Sequence, residues 1–125
     1  MFRILITTAA LALLTGSTAA KPVPCPVMPN TSTCFTDPAT GDLTGWNHYT
    51  VQIGVTYANG YGCGAIEAAL RAKMGGHIGN YHCTNDGYDN TVLEIYTFLP
   101  GDSVDVNSVL KASYPMVNAD FTCTG

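Results

Sequence analysis

Between Tyr49 and Tyr57 apolar and polar positions alternate without a break, with Tyr49, Val51, Ile53, Val55 and Tyr57 on one side and Thr50, Gln52, Gly54 and Thr56 on the other. A period of two puts each set on its own face, so the segment reads as a half-buried β-strand. At Gly60 the period changes. Ile66, Ala69, Leu70 and Met74 recur at helical spacing between Gly60-Tyr61-Gly62-Cys63 and Gly75-Gly76, which predicts a short amphipathic helix with glycine at both ends. Glu67 and Arg71 are spaced for a surface pair on it. His77–Cys83 is a weaker strand, and Thr84–Asn90, with Asn85-Asp86-Gly87, is turn chemistry. Thr91–Leu99 then returns as a hairpin partner, with Leu93, Ile95 and Leu99 on one face and Val92, Glu94, Tyr96 and Phe98 on a wetter one. After Pro100-Gly101, Asp102 or Ser103 can cap a second helix that buries Val106, Val109 and Leu110 and stops at Pro115; Asn118–Cys123 offers a last strand.

Strand, helix, strand, strand, helix, strand is most simply folded as a ferredoxin-like two-layer α/β sandwich (βαββαβ) over residues 46–125, an antiparallel sheet with both helices on one face. Two segments precede it. Residues 1–20 have a basic start, a short apolar run and a small-x-small end at Thr18-Ala19-Ala20, the features of a secretory signal peptide whose apolar run is shorter than a membrane span needs. Residues 21–45 hold Pro22, Pro24, Pro26, Pro29 and Pro38 without a helix or strand period and read as an extended arm. Asn30-Thr31-Ser32 in this arm fits an N-glycosylation acceptor.

Charge narrows the function classes. The chain carries −4, and losing residues 1–20 removes Arg3 and no acid, so the expected secreted product is one unit more negative. Arg71, Lys73 and Lys111 are the only bases beyond the arm, too few and too scattered for a phosphate-binding surface, so nucleic acid is not an expected partner. An anionic membrane is disfavoured on the same ground.

Five cysteines, at 25, 34, 63, 83 and 123, in an exported chain of this size predict a disulfide framework rather than a metal site. No Cys-x-x-Cys or His-x-x-x-His spacing suggests zinc, and no cofactor fingerprint is present: the Gly-x-Gly at 60–62 lacks the rest of a dinucleotide motif. In the sandwich topology Cys63 and Cys83 fall at one end of the sheet. Cys123 falls at the other, where the chain arrives from the arm. The expected bridges are Cys63–Cys83 and Cys123 with Cys25 or Cys34, leaving one arm cysteine over.

Gly60-Tyr61-Gly62-Cys63, then Ile66, Leu70, Gly76, Ile78 and Cys83, followed by a hairpin and second helix, resembles the secreted fungal killer toxins of the killer-protein-six type and the effector proteins that share their fold. The resemblance spans about residues 47–124. It implies an α/β sandwich and a fungal secreted protein that acts on other cells. Those toxins are released as two chains at dibasic sites, whereas this chain has one domain and no adjacent basic pair in its folded region, so a one-domain effector is the better match.

The candidate acid/base groups are Glu94, Asp86, Asp89 and histidines 48, 77 and 82, and Glu94 with His82 could form a pair on the open sheet face. The negative charge and the placement of Arg71 on the covering helix argue against a ribonuclease, and the expected role is non-catalytic. The open face would carry Tyr96 and Phe98 beside Thr50, Gln52 and Thr56, an aromatic patch in a polar surround suited to contact with a protein target on a host or competitor cell. The competing arrangement folds the arm, with Phe35 and Trp46, over those aromatics as core. The alternative functions are a membrane-active antifungal toxin and a small secreted ribonuclease. A homodimer through the odd cysteine or the open face is a further expectation.

Overall fold

The computed structural model describes residues 26–124; the expected signal peptide and Cys25 lie outside the described residues. The elements are β1 (Ser32–Pro38), β2 (Asn47–Thr56), α1 (Cys63–Met74), β3 (Ile78–Asn85), β4 (Asn90–Thr97) and α2 (Asp102–Ser113). The strands form one antiparallel sheet in the order β1-β2-β4-β3.

Strand alternation decides which residues enter the core. Tyr49, Val51 and Ile53 on β2 and Leu93 and Ile95 on β4 are fully buried, and they meet Ile66, Leu70 and Met74 of α1 and Val106, Val109 and Leu110 of α2 in a single cluster. Both helices therefore lie on one side of the sheet. The glycine signals around α1 act as expected at its C-terminus, where Gly75 has φ 59 and ends the helix in a conformation costly for other residues. At α2 the expected cap is corrected. The boundary residue is Gly101 (φ 87), and the Asp102 carboxylate instead turns back to accept the Leu99 N–H at 2.8 Å, with His77 Nδ1 3.5 Å from its other oxygen.

The βαββαβ order is not what forms. The edge beside β2, which the last strand takes in that topology, is occupied by β1, a strand from the segment read as an irregular arm. β1 has no apolar alternation of its own; it is specified by pairing with β2 over Ser32↔Ile53 to Pro38↔Asn47. Asn118–Cys123 is correspondingly not a strand. Asn107 of α2 supplies what a sheet neighbour would have given: its Nδ2 donates to the Cys123 carbonyl and its Oδ1 accepts the Cys123 N–H, both at 2.9 Å. Lys111 Nζ donates to the Val117 carbonyl at 3.0 Å. Val117, Phe121 and Cys123 are buried, so the tail serves as a lining of the helical layer.

Two disulfides fasten this arrangement, Cys63–Cys83 and Cys34–Cys123. The first joins the start of α1 to the outer strand β3, and Tyr81 adds a hydrogen bond from its hydroxyl to the Cys63 carbonyl at 3.0 Å. The second joins edge strand β1 to the tail. Of the two arm cysteines it is Cys34 that meets Cys123.

The phenols below the sheet make stability sensitive to alkali. Burial pushes the Tyr114 hydroxyl up to about 12, against a hydrogen bond to Thr91 that acts the other way. Burial, followed by the charges of Tyr114, Glu67 and Tyr57, raises Tyr81 further. A phenol with a folded pKa above its ordinary value near 10 holds its proton more tightly when folded, so its contribution is complete below pH 10 and is lost as pH rises through the folded value. Urea midpoints should fall between about pH 10 and 12, and Tyr114→Phe should flatten that fall. An unchanged slope in Tyr114→Phe would contradict it.

Candidate functional site

Opposite the helices the sheet is open. The register places Thr33, Phe35 and Asp37 of β1, His48, Thr50 and Gln52 of β2, and Val92, Glu94 and Tyr96 of β4 on this side, with His82 of β3 opposite Glu94. Phe98 and Trp46 continue the same alternation just beyond the strand ends. Residues 31–45 do not fold across the aromatics: β1 joins the sheet in its own plane, and Phe35 and Phe98 remain 66% and 52% exposed. Tyr96, Phe98, Thr50 and Gln52, the residues expected to share a surface, are brought together on this face.

Two local structures give the face its shape. At one end Trp46 lies against Gly79 of β3, where an added Cβ would stand 2.6 Å from the indole, and its ring centroid is 5.2 Å from that of Phe98. Glycine at 79 lets the largest side chain in the protein lie flat against backbone. Toward the middle is a polar cluster. His48 stacks on Tyr96 with ring centroids 4.3 Å apart and planes 8° from parallel. Its Nδ1 is 3.2 Å from Asp37 and its Nε2 2.9 Å from Glu94. The Tyr96 hydroxyl is held above its ordinary range by desolvation first, and then by the negative charges of Glu94 and Asp37.

His48 and Asp37 join this surface beside the expected residues. His48 carried a signal, since it shares the even positions of Thr50 and Gln52. Asp37 carried none, because its place opposite His48 depends on the pairing of β1. His82 and Glu94, the expected acid/base pair, stand opposite each other in the β3–β4 register, but the Glu94 carboxylate is engaged by His48. No lysine or arginine side chain is on this face among the described residues. Arg71 sits at the far edge, bonded to Glu67 and to the Gly79 carbonyl, and Lys111 bonds the tail. The described residues hold no group of three or more histidines, cysteines or carboxylates able to share a metal ion. Asp86 and Asp89, the other acid/base candidates, shape the β3–β4 turn: Asp86 accepts the N–H groups of Tyr88 and Asn90. Asn30, the asparagine of the Asn-Thr-Ser pattern, is exposed with φ 59 just before β1.

A separate cavity of about 320 Å³ opens at the start of α1, lined by Val55, Tyr57, Tyr61, Ile66, Thr91 and Tyr114 among others. Ala58, one of its lining residues, has positive φ, as do Asn59 and Gly60 after it in the chain. Of the residues expected on the contact surface, Thr56 lines this cavity instead, beyond the register shift of β2 between Ile53 and Thr56, and Thr50, Gln52, Tyr96 and Phe98 do not.

No family model matches the chain, and neither the curated proteins nor the solved structures contain a significant match to it. Among the described residues no helix is long and apolar enough to cross a membrane.

Proposed function

We propose that this is a secreted, killer-toxin-like or effector-like protein that binds a protein target outside the producing cell, without catalysis, through the open face of its sheet. The observation that carries the reading is the group of aromatic rings, Phe35, Trp46, Tyr96 and Phe98, on an uncovered and disulfide-braced sheet. Aromatic side chains presented by a rigid backbone lose little conformational entropy on association, and partly exposed rings in a polar surround have the composition of an interface. Thr33 and Gln52 supply that surround, joined by a 3.2 Å hydrogen bond. The absence of a cation beside His48 and Glu94 among the described residues removes the group that would stabilise a developing phosphate charge, which favours binding over a ribonuclease.

The test uses the protein's only tryptophan as a reporter. Extracellular and surface proteins of candidate target cells are captured with the wild-type protein and with Phe35→Ala/Phe98→Ala, and a purified partner is titrated against Trp46 fluorescence. Capture should be lost, or affinity weakened at least about tenfold, while the thermal midpoint changes little, because both side chains are largely exposed already. Equal capture by the double variant would overturn the reading, as would liposome leakage or RNA cleavage lost on Glu94→Gln.

A further inference from the structure

The two edges of the sheet are not alike, and the difference points to a second copy of this chain. At the β3 edge two backbone carbonyls are already used by side chains: Arg71 Nη2 donates to Gly79 at 3.0 Å and the Tyr57 hydroxyl to Cys83 at 3.4 Å. β3 also has an irregularity between Ile78 and Tyr81. Bonded carbonyls and a bulge both prevent a further strand from adding.

The β1 edge has no such protection. Two hydrogen bonds at its ends fix which backbone groups face β2: Gly54 N–H donates to Thr31 and Ala39 N–H to the Trp46 carbonyl. In an antiparallel ladder this alternation turns Thr33, Phe35 and Asp37 inward and leaves the N–H and C=O of Ser32, Cys34 and Thr36 pointing away from the sheet. Among the described residues no backbone group bonds to them. A row of unpaired amides and carbonyls is a template for another strand.

We propose that β1 pairs with β1 of a second copy, antiparallel about a two-fold axis at Phe35, so that one continuous sheet runs through both. The strand is self-complementary in this register. Cys34 and Thr36 of one copy exchange bonds with Thr36 and Cys34 of the other, and each Ser32 N–H meets a Pro38 carbonyl. Pro38 has no N–H to leave unpaired, and it closes the strand at that end. On the open face the two Phe35 rings, 66% exposed in one copy, come side by side at the axis, so the aromatic face runs on across both copies. The only charge on β1, Asp37, falls opposite Thr33 of the other copy, so no like charges meet. A symmetric contact of this kind closes on itself as a dimer.

Sedimentation equilibrium of the secreted protein from micromolar to millimolar concentration should show a reversible dimer. Thr36→Pro removes an N–H that β2 does not use, and should weaken dimerisation by at least about tenfold with the circular dichroism and thermal midpoint retained. Phe35→Lys, which sets two ammonium groups against each other at the axis, should do the same. The dimer should persist in Cys25→Ser, which separates strand pairing from a disulfide between copies. A wild-type protein that stays monomeric over this range overturns the proposal; so does a dimer unaffected by Thr36→Pro and Phe35→Lys, or one lost in Cys25→Ser.

Discussion

Replacing Cys34 and Cys123 together by serine is expected to cost about 4–5 kcal/mol at 25 °C, against about 3 kcal/mol for the pair Cys63 and Cys83. The difference follows from loop length. The first bridge spans 89 residues and the second 20, and the entropy removed from the unfolded chain grows with the logarithm of the loop. Packing adds to the asymmetry, since Cys34–Cys123 is the covalent link between edge strand and tail, and the tail brings Val117 and Phe121 into the core without a ladder of backbone bonds. In the double variant the Asn107 and Lys111 side chains, apolar burial and a single backbone bond to the start of β1, Asn118 N–H to the Asn30 carbonyl at 3.1 Å, hold the tail after Pro115. Urea unfolding of both double variants measures the difference, and limited proteolysis should cut first near Asn118 in the Cys34/Cys123 variant. A larger loss from the Cys63/Cys83 variant would show that native contacts, rather than loop closure, decide the contribution of these bridges.

Gly54→Ala should be the most damaging single methyl added to this fold, on the order of 3 kcal/mol, at the upper end of what overpacking costs. An added Cβ would overlap the carbonyl oxygen of Met28, where the chain crosses the end of the sheet before entering β1. That atom is backbone, and the crossing is fixed on both sides of Gly54 by the bonds Asn30 N–H to Gly54 and Gly54 N–H to Thr31, each 2.8 Å. Relief requires displacing residues 28–31 and the start of β1. At Gly79 the overlap is with the indole of Trp46, which can swing aside, so Gly79→Ala should cost less and move the tryptophan fluorescence instead. Thermal midpoints of the two variants, read with the emission maximum, test the ordering. A Gly54→Ala protein as stable as the wild type would place the crossing elsewhere.

Much of the architecture could be read from residue patterns because the elements concerned have strong local signals. The alternation from Tyr49 to Tyr57 gave β2 and its buried face, and the glycines around Cys63–Met74 gave α1. The candidate surface was half legible: Thr50, Gln52, Tyr96 and Phe98 follow from strand alternation, which His48 and Trp46 extend, whereas Asp37 and Phe35 join them only through the pairing of β1. Ser32–Pro38 was unreadable for a physical reason. An edge strand that is half exposed needs no apolar period, and its neighbour supplies what its own residues do not.

The amino-acid sequence by itself determined the α+β content, the two helices, the buried face of β2 and β4, and the cysteines available for cross-linking, because these depend on contacts between residues close in the chain and on simple periodicity. Tertiary structure alone decided which end of the chain fills the edge beside β2. That choice is a competition between β1 and the segment after Pro115 for one row of backbone groups on β2. Asn107 and Lys111 satisfy the tail away from the sheet, β1 takes the ladder, and the same outcome leaves both the aromatic face and the outer edge of β1 uncovered.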